Sequence, residues 1–351
     1  MRSLAERSLD RDEILGWLRE ESPERLDELF AAADSVRKAR VGDEVHLRGL
    51  VEVSNYCRRQ CAYCGIRAGN SAVARYRMTA EEVLACAREA QDLGYGTVVL
   101  QAGEDPGIEA GWMAEVVRRI KAETGLAVTL SLGERDEDEL RSWREAGADR
   151  YLLRFETSDR ALFERIHSPA PGQVRSDRIA QLRSLRQIGY EIGSGVMVGI
   201  PGQSLGSLAN DLLLFRELDL DMIGVGPFIA HPATPLGSNP LPLPPGAQVP
   251  STEAMVYKVI ALVRLVRPDA NIPSTTALAT VNRTNGRELG LSRGANIVMP
   301  NVTPVRYREK YEIYPGKACV NETAKACAVS LEGRISAMGR RVGAGPGGRY
   351  S

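Results

Sequence analysis

The chain has 351 residues, of which 26% are charged, and its 45 lysines and arginines balance 45 aspartates and glutamates. Zero net charge excludes a broad basic field for nucleic acid and leaves any binding site local. No apolar run is long enough to cross a bilayer, and the length suits one α/β barrel of about 250 residues with extensions.

The opening "MRSLAERSLDRDE" lacks the apolar core of a signal peptide, so a cytoplasmic protein with reduced thiols is expected. Its six cysteines then read as metal ligands or buried thiols rather than disulfides. Residues 11–40 predict two helices that cover a barrel. The first is the amphipathic "DEILGWLR"; the second opens with Ser22 as cap and Pro23 at the first helical position.

Eight short apolar, β-branched runs follow, at 45–54, 96–101, 126–132, 150–156, 192–200, 222–229, 272–279 and 295–300. Helix signals separate them. Thr79 and Glu82 form a capping box and Gly94 ends that helix, while "RDEDELRSWREAGA", "DRIAQLRSLRQIG" and "SLGSLANDLLLFRELD" carry helical apolar spacing. This alternation predicts an α/β fold, a (β/α)8 TIM-type barrel over 45–310. An N-terminal helical extension (1–44) and a short C-terminal extension (311–351) flank it, and 343–351 form a mobile tail. An open, doubly wound sheet is the alternative, but no Gly-rich fingerprint follows the first strand.

Strand polarity points to a cavity. In 150–156 one face carries Arg150, Leu152, Arg154 and Glu156, and the other Tyr151, Leu153 and Phe155. In 126–132 Thr129 and Ser131 share the polar face. The apolar faces should meet helices, which turns the polar ones inward, where such barrels usually pack branched apolar side chains. A hydrogen-bonded network with trapped water would explain this. A ligand cavity explains it better, because arginine is rarely buried without a partner.

Cys57, Cys61 and Cys64 follow the first strand, at the end of the barrel where active sites form. Four thiolates close an iron–sulfur cube, one per iron, so three leave one iron open. Zinc is the competing metal, but it wants four ligands, and none of His46, His167 and His231 stands at a ligand-pair spacing.

The run "CRRQCAYC", CxxxCxxC with Tyr63 before the last cysteine, resembles the signature of the radical S-adenosylmethionine (SAM) enzymes. The resemblance implies a [4Fe–4S] cluster on the three cysteines. SAM is then chelated at the open iron by its amino and carboxylate groups, and its reductive cleavage gives a 5′-deoxyadenosyl radical. "QAGEDP" (101–106) resembles the Gly-Gly-Glu motif that holds the SAM amino group; Gly103 and Glu104 match, and Ala102 replaces the first glycine.

Longer stretches, among them "SNYCRRQCAYCGIR", "VTLSLGE", "GADRYLLRFET", "NIPSTTA" and "YPGKAC", resemble the HydE family of [FeFe]-hydrogenase maturases. That resemblance implies a cysteine-bound iron carbonyl cyanide as substrate, with HydG, HydF and a low-potential electron donor as partners, and neither nucleic acid nor membrane. It places Arg150, Arg154, Thr129, Thr275, Thr276, Met299, Tyr311 and Tyr314 around the substrate. Tyr63, Gly103, Glu104, Ser131, Glu156 and Arg178 fall toward the cofactor. The alternatives are a methylornithine synthase or another amino-acid-directed radical enzyme, and a non-catalytic metal-binding scaffold.

Two positions depart from the family pattern. Phe155 stands where the family often has histidine, and by strand parity it faces outward. Some HydE proteins bind a second cluster near the C-terminus through three cysteines; here Cys319 and Cys327 remain but Ser330 takes the last place, which argues against that cluster. Cys86 reads as a buried thiol.

Overall fold

Two helices, α1 (Arg11–Arg19) and α2 (Pro23–Val41), precede the first strand, β1 (Glu44–Ser54). Then come α3 (Ala80–Asp92), β2 (Thr97–Ala102), α4 (Ala110–Thr124), β3 (Ala127–Ser131), α5 (Glu137–Glu145) and β4 (Arg150–Leu152). The chain continues with α6 (Arg160–Ile166), α7 (Arg178–Ile188), β5 (Glu191–Val198), α8 (Leu205–Glu217), β6 (Met222–Pro227), α9 (Pro235–Ser238) and α10 (Glu253–Val266). Last are α11 (Thr276–Val281), α12 (Gly286–Leu291), β7 (Ile297–Val298), α13 (Val305–Arg308), α14 (Ala324–Ala337) and β8 (Arg341–Val342). The computed structural model describes residues 4–168, 175–238 and 248–349.

All strand pairs are parallel, in the order β6-β5-β4-β3-β2-β1-β7. The ring closes through single bridges, Asn271 to Met222 and Pro273 to Ile297. Residues 271–273 thus take the seventh place, and the α/β barrel stands as expected. Its apolar outer wall includes Val98, Leu100, Val128, Leu130, Tyr151 and Phe155, all fully buried against the helix layer.

The strand expected at 272–279 does not form. Pro273 has no N–H to extend the ladder, and Thr275 turns the chain into α11, its hydroxyl accepting from Leu278 N at 3.4 Å. The fourth strand is also shorter than 150–156. Phe155 N donates to the Ser194 hydroxyl at 3.2 Å instead of to a carbonyl, and Glu156 takes a left-handed backbone, φ +65°. The helices α1 and α2 pack outside, against α8 and α10; Lys258 of α10, for example, donates to Leu18 O at 3.3 Å.

The barrel floor is covered from the other terminus. Residues 343–349, expected in a mobile tail, instead form a strap beneath the strands; 350 and 351 lie outside the described residues. The strap follows β8, which pairs with Glu44 and Val45 of β1. Pro346 O accepts from Thr97 Oγ1 at 2.9 Å and Arg150 Nη2 at 3.2 Å, and Gly347 O accepts from Arg48 Nη2 at 2.8 Å and Asn271 Nδ2 at 3.1 Å. Arg349 pairs with Asp219 and Asp221 at 2.9 and 3.2 Å.

Gly96 fits this strap because a Cβ there would overlap Gly345 O. Truncation after Val342 is expected to cost about 2 kcal/mol or more, since it strands several buried donors. A denaturant titration with an unchanged midpoint would show the strap to be dispensable.

Candidate active site

The cysteine loop is built on the ends of β1 and β2. Ser54 Oγ lies 2.6 Å from Asp105 Oδ2, and Arg77 clamps the same carboxylate through Nε and Nη2 at 2.6 and 2.8 Å. Asn55 Nδ2 donates to Ala74 O at 3.0 Å and Lys310 O at 2.6 Å. Arg58 N donates to Glu104 O, and Gly65 N to Ile313 O, both at 2.9 Å. A Cβ at Gly65 would overlap Glu312 O and the His231 ring, so only glycine closes the loop this tightly.

Cys57, Cys61 and Cys64 all line one cavity of about 350 Å³. Burial pushes the Cys61 thiol up to about 12 and raises Cys57 and Cys64 as well. Metal binding must therefore displace these protons.

The arrangement fits a cluster better than one ion. Among the described residues, the only group of three or more Cys, His, Asp or Glu ligand atoms within 4.8 Å of one another is Cys319, Glu322 and Cys327. The three loop thiols are spread wider than thiolates on a single zinc, which stand about 3.8 Å apart at 2.3 Å bonds. Thiolates on separate irons of a cube need that wider spread.

Beside the cysteines, four charged groups interlock. Glu104 Oε2 takes a hydrogen bond from Arg59 Nε, and Arg59 Nη2 reaches Glu134 at 3.2 Å. Arg178 Nε pairs with Glu134 Oε1 at 3.0 Å, and its Nη2 lies 3.7 Å from Glu104 Oε1. Glu104 Oε1 makes no hydrogen bond, although the residue is only 6% exposed. An unsatisfied carboxylate oxygen beside three cysteines suits an incoming ammonium group such as that of SAM.

Gly133 sets the position of Glu104: its φ is +77°, and a Cβ would overlap Glu104 Cγ. Gly133→Ala is expected to weaken SAM binding about tenfold, ~1.4 kcal/mol, by displacing this carboxylate. Equilibrium dialysis of the cluster-containing protein checks this, and unaltered affinity would detach Glu104 from the cofactor.

Further in, Glu156 lies 3.2 Å from Arg154 Nη2, and burial raises its carboxyl. Tyr63 OH is 2.9 Å from His167 Nε2, which orients its ring at the cavity edge. The cavity exists because β6 places Gly224 and Gly226 in its wall, where most barrels carry branched side chains. A Cβ on Gly226 would come to 3.0 Å from Thr275 Oγ1.

The structure gathers Cys57, Cys61, Cys64, Tyr63, Glu104, Ser131, Glu156, Arg178, Arg154, Thr275, Thr276, Met299 and Tyr314 around this cavity. Four expected residues do not line it. Arg150 shares the inward face of β4 but sits at the floor, with Nε 2.6 Å from Glu191 Oε2. Thr129, its register partner, is buried with an unbonded hydroxyl. Tyr311 stands behind the wall, where Gln101 Nε2 donates to its hydroxyl at 3.2 Å. Gly103 supports from below: its N–H donates to Ser54 O at 3.1 Å, and a Cβ would overlap Tyr56 O.

Sequence reasoning missed a buried ion pair in the wall. Lys317 Nζ lies 2.5 Å from Glu52 Oε1 and donates to Tyr311 O at 3.1 Å. Glu52 Oε2 makes no hydrogen bond. The parity of "GLVEVS" held the signal, since Glu52 alternates with apolar neighbours as Arg154 does in the 150–156 run. Arg59, Glu134 and Arg287 were missed as well.

A barrel with three cysteines at the C-terminal end of its first strand, beside a largely apolar cavity that carries a few charged side chains, defines a radical SAM enzyme. The sequence model of the radical SAM superfamily matches residues 51–215. The chain is 45% identical over 321 residues to the [FeFe] hydrogenase maturase subunit HydE of Thermotoga maritima, covering 92% of this chain and 88% of that one. It belongs to the radical SAM superfamily, and within it to the HydE family.

The 3-methylornithine synthase of Methanosarcina acetivorans is 31% identical over 292 residues, with 83% of this chain and 79% of that one covered. A crystal structure of methylornithine synthase superposes with a TM-score of 0.80 at 26% identity, over 97% of this chain and 96% of that one. No helix among the described residues is long and apolar enough to cross a membrane.

Proposed function

We propose that the chain performs the HydE step of [FeFe]-hydrogenase maturation, acting on a cysteine-bound iron carbonyl cyanide. The 45% identity across 92% of the chain carries this reading. Cys57, Cys61 and Cys64 would hold the [4Fe–4S] cluster, and Glu104, with Arg178 behind it, the amino group of SAM. When bound, these groups supply an electron and a 5′-deoxyadenosyl radical inside the cavity.

The protein's own residues bind and shield. Arg154, Arg287 and Lys317 give the cavity cationic groups for a carboxylate- and cyanide-bearing anion. Thr276 offers a hydroxyl, while Thr275 is committed to capping α11. Leu50, Leu152 and Ile313 keep water from the reacting atoms. HydG as supplier, HydF as acceptor and a low-potential electron donor belong to this proposal.

The test supplies the HydG product with SAM and reductant, then follows 5′-deoxyadenosine by chromatography and new iron signals by EPR. The likeness to methylornithine synthase keeps one second reading: turnover of lysine with no effect of the iron complex would establish it instead.

A further inference from the structure

Near the C-terminus the donor set differs from the three cysteines of a second cluster. Cys319 stands in a left-handed turn, φ +62°. Cys327 lies in the first turns of α14, whose N-cap Thr323 accepts from Ala326 N at 3.2 Å. The two sulfurs and a Glu322 carboxylate oxygen all lie within 4.8 Å of one another. Ser330 follows three residues after Cys327 in α14 and is exposed.

Second-layer contacts already hold this arrangement. Arg287 Nη2 donates to Cys319 Sγ at 3.2 Å. Arg308 Nη1 donates to Cys319 O at 3.2 Å and Glu322 O at 2.6 Å, which fixes the loop backbone. Cys319 and Glu322 also border a second cavity, of about 430 Å³, that opens beside the first.

We propose that Cys319, Glu322 and Cys327 bind one zinc-class divalent ion, in place of a second iron–sulfur cluster. Two thiolates and one carboxylate select zinc over magnesium or calcium, which prefer oxygen throughout. Iron–sulfur clusters are held chiefly by cysteine thiolates, and only two cysteines stand in this group, with a carboxylate as the third donor.

Charge supports the single ion. Two thiolates and a carboxylate around a dication leave one negative charge, and the Arg287 guanidinium neutralises it through its bond to the Cys319 sulfur. The fourth position is left to water, for which the cavity that Cys319 and Glu322 border gives room. The ion acts as a clasp between the 319–322 loop and α14. Because Cys319 lines both cavities beside Lys317, the clasp also fixes the wall that carries the buried ion pair.

The test uses the protein carrying its radical SAM cluster, loaded anaerobically with zinc sulfate, desalted, and read by metal analysis and zinc-edge X-ray absorption. Expected is one zinc per chain beyond the cluster irons, with two sulfurs at about 2.3 Å and two lighter atoms at about 2.0 Å. Cys319→Ser and Cys327→Ser should each lose the bound zinc. Glu322→Gln, at an exposed position that the fold tolerates, should hold zinc about tenfold or more weakly in chelator competition. Substoichiometric zinc in the parent protein, zinc retained by both serine variants, or extra iron that the Cys327→Ser variant loses would each overturn the proposal.

Discussion

Cys61→Ala is expected to give a colourless or weakly coloured protein that forms no measurable 5′-deoxyadenosine from SAM, a loss of at least about 1000-fold. Cys61 is 8% exposed and stands between Cys57 and Cys64 in a loop clamped by Asp105, Asn55 and Gly65. That clamp prevents the loop from recruiting another ligand. His167, which borders a small pocket with Cys61, is engaged by Tyr63, and burial lowers its basicity. Two thiolates then retain a cluster poorly, and the cofactor has no open iron to reach. Anaerobic reconstitution followed by absorption spectroscopy and product assay decides the matter. Cys86→Ala serves as control, because Cys86 lies in α3 away from the cavity and should keep its colour. A Cys61→Ala protein that still cleaves SAM would remove the basis of the site.

Lys317→Met is expected to destabilise the fold by about 3–5 kcal/mol, the cost of leaving a buried carboxylate without its partner. Glu52 is 2% exposed, and Lys317 Nζ is its one ion-pair partner among the described residues, at 2.5 Å. Burial raises the Glu52 carboxyl even with the lysine present. Without the lysine the folded-state value rises further above the unfolded one. Stability of the variant is then fully present below the unfolded carboxylate range and is lost as pH rises through the folded value. The variant should approach the parent in acid and fall away toward neutrality. The double variant Glu52→Gln/Lys317→Met should recover most of the loss at neutral pH. Thermal unfolding across pH reads both effects, and a pH-independent loss in the single variant would show that packing, not charge, is responsible.

Much of the site was legible because local chemistry announces itself. Three cysteines in eight residues, and an arginine and a glutamate in step at Arg154 and Glu156, follow from spacing and strand parity, while Glu104 came from the resemblance of "QAGEDP" to a family motif. Parity, however, gives a face and not a height. Arg150 and Arg154 point the same way, yet only the upper one reaches the cavity, while the lower one meets Glu191 and the strap.

What stayed hidden came from distant parts of the chain. Lys317 reaches Glu52 across 265 positions of sequence, and neither residue stands in a pattern that names the other. Glu134 lay inside a recognised stretch, "VTLSLGE", but its role follows only from the pairing with Arg59 and Arg178. The strap was misread because glycine and proline also mark mobile tails. Here they let the backbone come close enough for its carbonyls to serve buried arginines.

The strap also constrains how the chain is made. The lower edge of β1 finds its partner in β8 only after 297 further positions have been synthesised. Until then the bottom of a nascent barrel presents unpaired backbone and two guanidiniums that lack their strap carbonyls, the kind of surface that chaperones hold. The cysteine end depends mainly on earlier strands, but its loop also leans on Lys310 and Ile313. A ribosome stalled between α14 and β8 would therefore carry a nearly complete metal pocket on an open-bottomed barrel.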